Sequence, residues 1–184
     1  KGNVVTPMAL LEQYGSDAVR YWACNGRPGV DTAFDEGVMK NGRRLVTKML
    51  NASKFVLTIL NEIGADEKEF DNVKITNQVD QSYLFALNDI VSKATKAFEG
   101  LDYARSLEVT EASFWDFCDN YVEIVKSRAY GSQGKDMALQ AGATLKIARN
   151  TYTKLFAPIA PFTCEEIYSW ISNESIHIQT WPNE

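Results

Sequence analysis

The sequence predicts an all-α protein: an antiparallel helical bundle preceded by a short connector. Apolar residues recur at alternating steps of three and four through most of the chain, the period of helices that bury one face. Capping residues and Gly or Pro punctuate those runs, and they leave short connections between four long segments, as an up-and-down bundle requires.

Thr6-Pro7 reads as an N-cap with proline at the first helical position, and Gly15 as the stop after Tyr14. Ser16-Asp17 is expected to cap a second helix through Arg20, Tyr21 and Trp22, broken by Gly26-Arg27-Pro28-Gly29. Asp35 then caps a helix of about 28 residues with Val38, Gly42, Leu45, Met49, Ala52, Val56, Ile59 and Ile63 on its seam, ending near Gly64. Residues 64–80 are polar and acidic, and read as a loop with one short turn.

Asp80 is expected to cap the next helix, with Tyr83, Leu87, Val91, Ala94 and Phe98 inward and Gly100 as the stop. Asp102 starts another, with Leu107, Phe114, Phe117, Cys118, Tyr121, Val125 and Ala129 inward, ending at Gly131. Asp136 starts the last long helix, which carries Ala138, Ala141, Leu145, Ala148, Tyr152 and Leu155 and ends at Pro158 and Pro161. Thr163 and Glu166 match a capping box for a short helix through Ile167 and Trp170. Ile176 to Trp181 is expected to be extended.

Composition narrows the function. At 184 residues with 45% hydrophobic content, the chain can bury a substantial core. No apolar run approaches the ~20 residues of a membrane span. Lys1-Gly2-Asn3-Val4-Val5 has no signal-peptide pattern and no initiator Met, as expected of a chain cut from something larger. Cys24, Cys118 and Cys164 lack CxxC spacing, so they read as reduced, buried, small hydrophobes of a cytoplasmic protein, not as metal ligands or disulfides. The single histidine, His177, leaves no His cluster for a metal. There is no phosphate loop, GxSxG or HExxH, so no catalytic residue is assigned.

The net charge of −5 argues against a polyanionic partner until its distribution is read. Residues 1–54 hold eight Lys/Arg and five Asp/Glu, whereas residues 55–184 hold eleven and nineteen. Lys40, Arg43, Arg44, Lys48 and Lys54 lie in a stretch with no acidic residue, and Lys40, Arg44 and Lys48 step by four along one helix face. Such a stripe is either a solvated helix face or a phosphate-contacting one. Phe55 sits one position before the seam residue Val56, as a second-rank core residue or a base-stacking platform. Glu123 either faces a groove or is a solvated surface carboxylate.

Longer motifs decide more. Lys1-Gly2-Asn3-Val4-Val5 with Pro7 resembles the segment after the KMSKS loop of class I aminoacyl-tRNA synthetases, and Tyr14-Gly15-Ser16-Asp17-Ala18-Val19-Arg20-Tyr21-Trp22 resembles their YGxDAxRxW stretch. Gly29 to Gly37, Leu50 to Val56, Phe114 to Asp119, Tyr121-Val122-Glu123 with Lys126, Ala157 to Phe162 before Glu165-Glu166, and Trp181-Pro182 resemble the valine–tRNA ligases. The isoleucine and leucine enzymes share the YGxDA and APF…EE motifs. KGNVV, PGVDTAFDEG and FWDFCD favour valine.

The resemblance implies a division into three parts. Residues 1–35 would be the stem-contact region, residues 36–171 the helical anticodon-binding domain, and residues 172–184 an extended segment leading to a coiled-coil arm. It implies valine tRNA as partner, a catalytic domain in cis, and a monomeric parent that uses ATP with magnesium. The fragment itself would need no cofactor. Phe55 falls at the family's base-stacking aromatic. Val122 and Glu123 fall at the pocket wall that meets the anticodon's central adenine and third cytosine. Related sequences can carry arginines in the stretch matching 33–37. Here Ala33 and Gly37 stand there, which leaves Lys40, Arg43 or Arg44 to supply the charge. A helical protein-interaction module is the reading from another class.

Overall fold

The structure is a computed structural model that describes residues 6–183; the Lys1–Val5 motif lies outside them. Helices α1 (Pro7–Tyr14) and α2 (Ser16–Cys24) lead to α3 (Glu36–Ile63). The short α4 (Glu67–Asp71) then precedes α5 (Gln78–Glu99). A single long rod follows, made of α6 (Tyr103–Asp116), a π-helical turn (Phe117–Tyr121) and α7 (Val122–Ala129). Helices α8 (Lys135–Phe156) and α9 (Pro161–Ser169) and a 3₁₀ turn (Ile176–Ile178) complete the described chain. There is no strand among the described residues.

Helix α8 is the axis of the bundle. It packs against α3, α4, α5, α6, α7 and α9, so it is buried on most of its circumference, from Ala138 to Phe156. Gly142 permits part of this, because a Cβ there would lie 2.6 Å from Phe70 and 2.8 Å from Ile63. Helix α3 turns a comparable small-residue contact toward α2, where a Cβ on Gly42 would strike the Tyr21 ring at 2.8 Å. The buried face of α3 is Met39, Gly42, Leu45, Met49, Ser53, Val56, Ile59 and Leu60. It is rotated slightly from the expected seam, so Val38, Ala52 and Ile63 are only half-buried. A small second core of Leu10, Tyr14, Ala18 and Met39 joins α1 and α2 to the start of α3.

Several acidic residues read as helix caps do other work. Asn77, not Asp80, caps α5, accepting from the N–H groups of Val79 and Asp80. Asp80 is fully buried and accepts from both terminal guanidinium nitrogens of Arg128 and, at 2.7 Å, from the hydroxyl of Tyr121. Burial first, and then this bond to a carboxylate, push the Tyr121 hydroxyl far above its ordinary pKa. Asp17 likewise leaves its own helix. It accepts from the Thr163 N–H at 2.7 Å and from Thr163 Oγ1 at 2.6 Å, capping α9. The Thr163 hydroxyl is thus a donor, and no capping box with Glu166 forms.

Arg20, in the same stretch as Asp17, donates to the carbonyls of Pro158 and Ile159. Together Asp17 and Arg20 satisfy both sides of the turn between α8 and α9. Helix α8 begins at Lys135 behind Gly134, while Asp136 accepts from Gln140 instead of capping.

The C-terminal segment, expected to be extended from Ile176, instead begins with a docked 3₁₀ turn at Ile176–Ile178, and the backbone becomes extended at Gln179. No neighbouring strand satisfies its backbone. Glu165 holds the Ile176 N–H at 3.0 Å and Ser175 Oγ accepts from the His177 N–H at 3.2 Å. Trp181 donates to Thr95 Oγ1 at 2.9 Å and lies edge-on to Phe98.

The Asp80–Arg128 pair makes the fold testable. Asp80→Ala strands a buried guanidinium, so urea unfolding is expected to show a loss of about 3–5 kcal/mol. An Asp80→Leu/Arg128→Met double variant is expected to recover most of it. Equal losses in both variants would assign the stabilisation to packing alone.

Candidate nucleic-acid interface

Helix α3 and the rod enclose a cleft of about 220 Å³ lined by Lys48, Asn51, Ala52, Phe55, Cys118, Val122, Glu123 and Lys126. Phe55 is half-buried on α3, and Val122 is buried on the opposite wall. Glu123 is exposed at the rim. Lys126 lies with its ammonium 5.6 Å from the centre of the Phe55 ring and 3.6 Å from the Glu123 carboxylate. One small space thus holds an aromatic face, an aliphatic wall, an acceptor and a cation. These are the groups that bind an unstacked base by its face and its edge.

The π-helical turn sets this wall. Ordinary α spacing gives one apolar stripe. The wider turn at Phe117–Tyr121 lets Phe117, Cys118, Tyr121 and Val122 all be buried. Phe117 and Tyr121 go to the core beside Tyr83, while Cys118 and Val122 line the cleft. Burial pushes the Cys118 thiol up to about 12, so at neutral pH it is a small apolar surface and not a nucleophile.

The cleft opens along α3 into a wider groove of about 660 Å³ lined by Lys40, Arg43, Arg44, Thr47, Lys48, Asn51 and Trp115, with Gln13 and Tyr14 of α1. Lys48 and Asn51 belong to both spaces. Lys40, Arg43 and Arg44 are exposed. Arg43 also donates to the Gln13 carbonyl at 2.6 Å, tying α3 to α1. Lys48 pairs with Asp119 at 3.2 Å.

Seven of the eight residues singled out in the sequence therefore border one continuous surface. Lys54 does not. Its ammonium lies 5.4 Å over the ring of Trp170, the residue that follows α9, because one helical step turns it away from Phe55. Asn51, Trp115 and Lys126 belong to the surface although neither charge nor periodicity marked them. Asn51 could have been found, since it lies three positions after Lys48 and four before Phe55 on the same helix face. Lys126 and Trp115 needed the packing of the rod against α3. Among the described residues no group of three or more His, Cys, Asp or Glu could hold a metal ion. No helix among them is long and apolar enough to cross a membrane.

Known proteins share this architecture. The family profile described as anticodon-binding domain of tRNA ligase matches residues 80–184. The chain is 51% identical over 183 residues to a valine–tRNA ligase of Salinispora tropica and 52% identical over 184 residues to that of Salinispora arenicola. A valine–tRNA ligase of Thermobifida fusca is 49% identical over 183 residues. These alignments cover 99–100% of the chain but only 20–21% of each relative, so the chain spans about a fifth of their length. The fold is similar to part of a chain in the crystal structure of the ternary complex of Agrobacterium radiobacter K84 agnB2 LeuRS, tRNA and LeuAMS. The TM-score is 0.71 at 17% identity, over 98% of this chain and 21% of that one. By the profile match, the chain belongs to the anticodon-binding domain family of tRNA ligases.

Proposed function

We propose that the chain reads the anticodon of valine tRNA for a valine–tRNA ligase, which joins valine to that tRNA with ATP and magnesium. The observation that carries this reading is the single cleft formed by Phe55, Val122, Glu123 and Lys126 at the end of the basic groove. Identity of about half to valine–tRNA ligases along the whole chain supports it.

In this reading Phe55 stacks on an unpaired base, and Val122 excludes water from its other edge. Glu123 accepts from an exocyclic amine, as adenine and cytosine offer. Lys40, Arg43, Arg44 and Lys48 meet phosphates, which position the RNA without reading it. Residues 1–35 contact the tRNA stem, residues 36–171 form the anticodon-binding domain, and residues 172–184 lead to a coiled-coil arm. The catalytic domain acts in cis, and the whole enzyme is monomeric and cytoplasmic.

The test is a titration with valine tRNA and with the same tRNA altered at the central anticodon base. Binding is expected to fall clearly on the base change. Equal, salt-sensitive binding to both would reduce the surface to electrostatic docking, and no binding to either would favour a protein-interaction module. Phe55→Ala is expected to weaken cognate binding by roughly 1–3 kcal/mol with little change in melting temperature. A large drop in melting temperature would make Phe55 a core residue instead. Reversing the charge of Lys40, Arg44 and Lys48 together is expected to weaken binding to all tRNAs alike, and to flatten the salt dependence by roughly one unit of slope for each phosphate no longer neutralised. A change in discrimination as large as the change in affinity would contradict that role.

A further inference from the structure

The basic groove holds a second aromatic surface that the base-reading cleft does not use. Trp115, on α6, is half-buried and lines the groove beside Arg44 and Lys48. Its ring is fixed by the residues behind it. The indole N–H donates to Glu111 Oε1 at 3.2 Å, and Glu111 Oε2 in turn accepts from the Tyr21 hydroxyl at 2.8 Å. The Lys48 ammonium lies over the ring, 5.7 Å from its centre, and is also paired with Asp119 at 3.2 Å. A further pocket of about 240 Å³, lined by Tyr21, Asn41, Arg44, Glu111 and Trp115, extends the groove past the indole.

An aromatic ring held rigid by a hydrogen-bonded chain, with two cations beside it and open space alongside, suits a nucleotide. The ring offers a face to the base, and the cations meet the flanking phosphates. An oriented surface also loses little entropy on binding.

Lys48, which touches Trp115, precedes Phe55 by seven residues on α3. That is roughly 10 Å along the helix axis, or about three steps of a stacked strand at 3.4 Å each. The nucleotide on Trp115 is therefore a different one from the nucleotide on Phe55.

We infer that Trp115 is a second nucleotide-stacking platform, which takes an unpaired nucleotide outside the base-reading cleft without regard to its identity. The inference rests on the reading of the cleft as an anticodon site. The carboxylate beside the indole, Glu111, is already engaged by the Trp115 N–H and the Tyr21 hydroxyl, whereas Glu123 stands exposed at the rim of the other cleft. Its contribution is to affinity and register, not to discrimination.

The test compares Trp115→Phe with Trp115→Leu in the full chain, titrated with a valine anticodon stem-loop RNA and with the same RNA altered at the central anticodon base. Both substitutions lose the bond to Glu111 and both fill the space, but only phenylalanine keeps a stacking face. Leucine is expected to weaken binding to both RNAs by the same factor, about 5- to 150-fold, while phenylalanine stays within roughly threefold of the native chain. RNA is also expected to quench the tryptophan emission of the native chain more than that of the Trp115→Phe variant. Equal affinities for the two variants, or equal quenching in the native and Trp115→Phe chains, would overturn the platform.

A parallel Phe55→Leu variant separates the two readings. If Phe55→Leu loses affinity while Trp115→Leu does not, the anticodon site stands and the platform falls. If the two RNAs bind equally and Phe55→Leu changes nothing, the anticodon reading itself has failed.

Discussion

Asp80 and Arg128 form a buried bidentate ion pair, closed by the Tyr121 hydroxyl, between the first turn of α5 and the end of the rod. Arg128 and Asp80 are 7% and 0% exposed at their side chains, so each charge depends on the other for solvation. Such a pair contributes little net energy relative to apolar packing, but breaking it by halves is expensive. Its effect is on register. Arg128 can meet Asp80 in one alignment of α5 against α7, and that alignment brings Tyr83 into a stack with Tyr121 at 3.8 Å. It also fixes which turn of the rod faces α3, and hence where Val122, Glu123 and Lys126 stand. The hydrogen bonds to Asp80 hold the Arg128 guanidinium more firmly protonated than in water.

The π-helical turn lies next to this lock. A wider turn costs some backbone hydrogen-bond quality, yet here it serves two surfaces at once. Phe117 and Tyr121 complete an aromatic cluster with Phe114, Tyr152 and Tyr83. Cys118 and Val122 turn outward to the cleft. Core and site are then built from alternate residues of the same five-residue turn and the position after it, so the position of the cleft wall follows from core packing.

The residues that carry the family resemblance divide by function in the same way. Asp17, Arg20 and Glu165 spend their polar groups on backbone at the α8–α9 turn and the C-terminal segment. Phe55, Glu123 and Lys126 remain at a surface where a ligand can reach them. Motif membership alone does not distinguish these groups, but hydrogen-bond satisfaction does. Polar side chains committed only to backbone groups away from the cleft are structural, whereas charged residues lining the open surface can meet a ligand, and Arg43, which donates to the Gln13 carbonyl from the groove wall, does both.

Much of the fold was written in the sequence, because helix periodicity and punctuation are local properties. The ends of α3 followed from Asp35 and Gly64, which sits at φ +72, where glycine meets no Cβ clash. The inward faces of α6, α7 and α8 followed from their apolar spacing. The basic stripe was legible as a run without acids. Capping was less legible, because an Asp near a helix start can serve its own backbone or a distant partner, as Asp17 and Asp80 do. The extended reading of residues 176–181 holds at Gln179 but not at Ile176–Ile178, where the Ile176 N–H donates to Glu165 and the His177 N–H to Ser175 Oγ, bonds that favour a 3₁₀ turn. Only the packing of the rod against α3 could decide that Phe55, Val122, Glu123 and Lys126 share one cleft while Lys54 faces Trp170. Proximity across helices depends on rotation about each axis, and that rotation is set by buried contacts far apart in the chain.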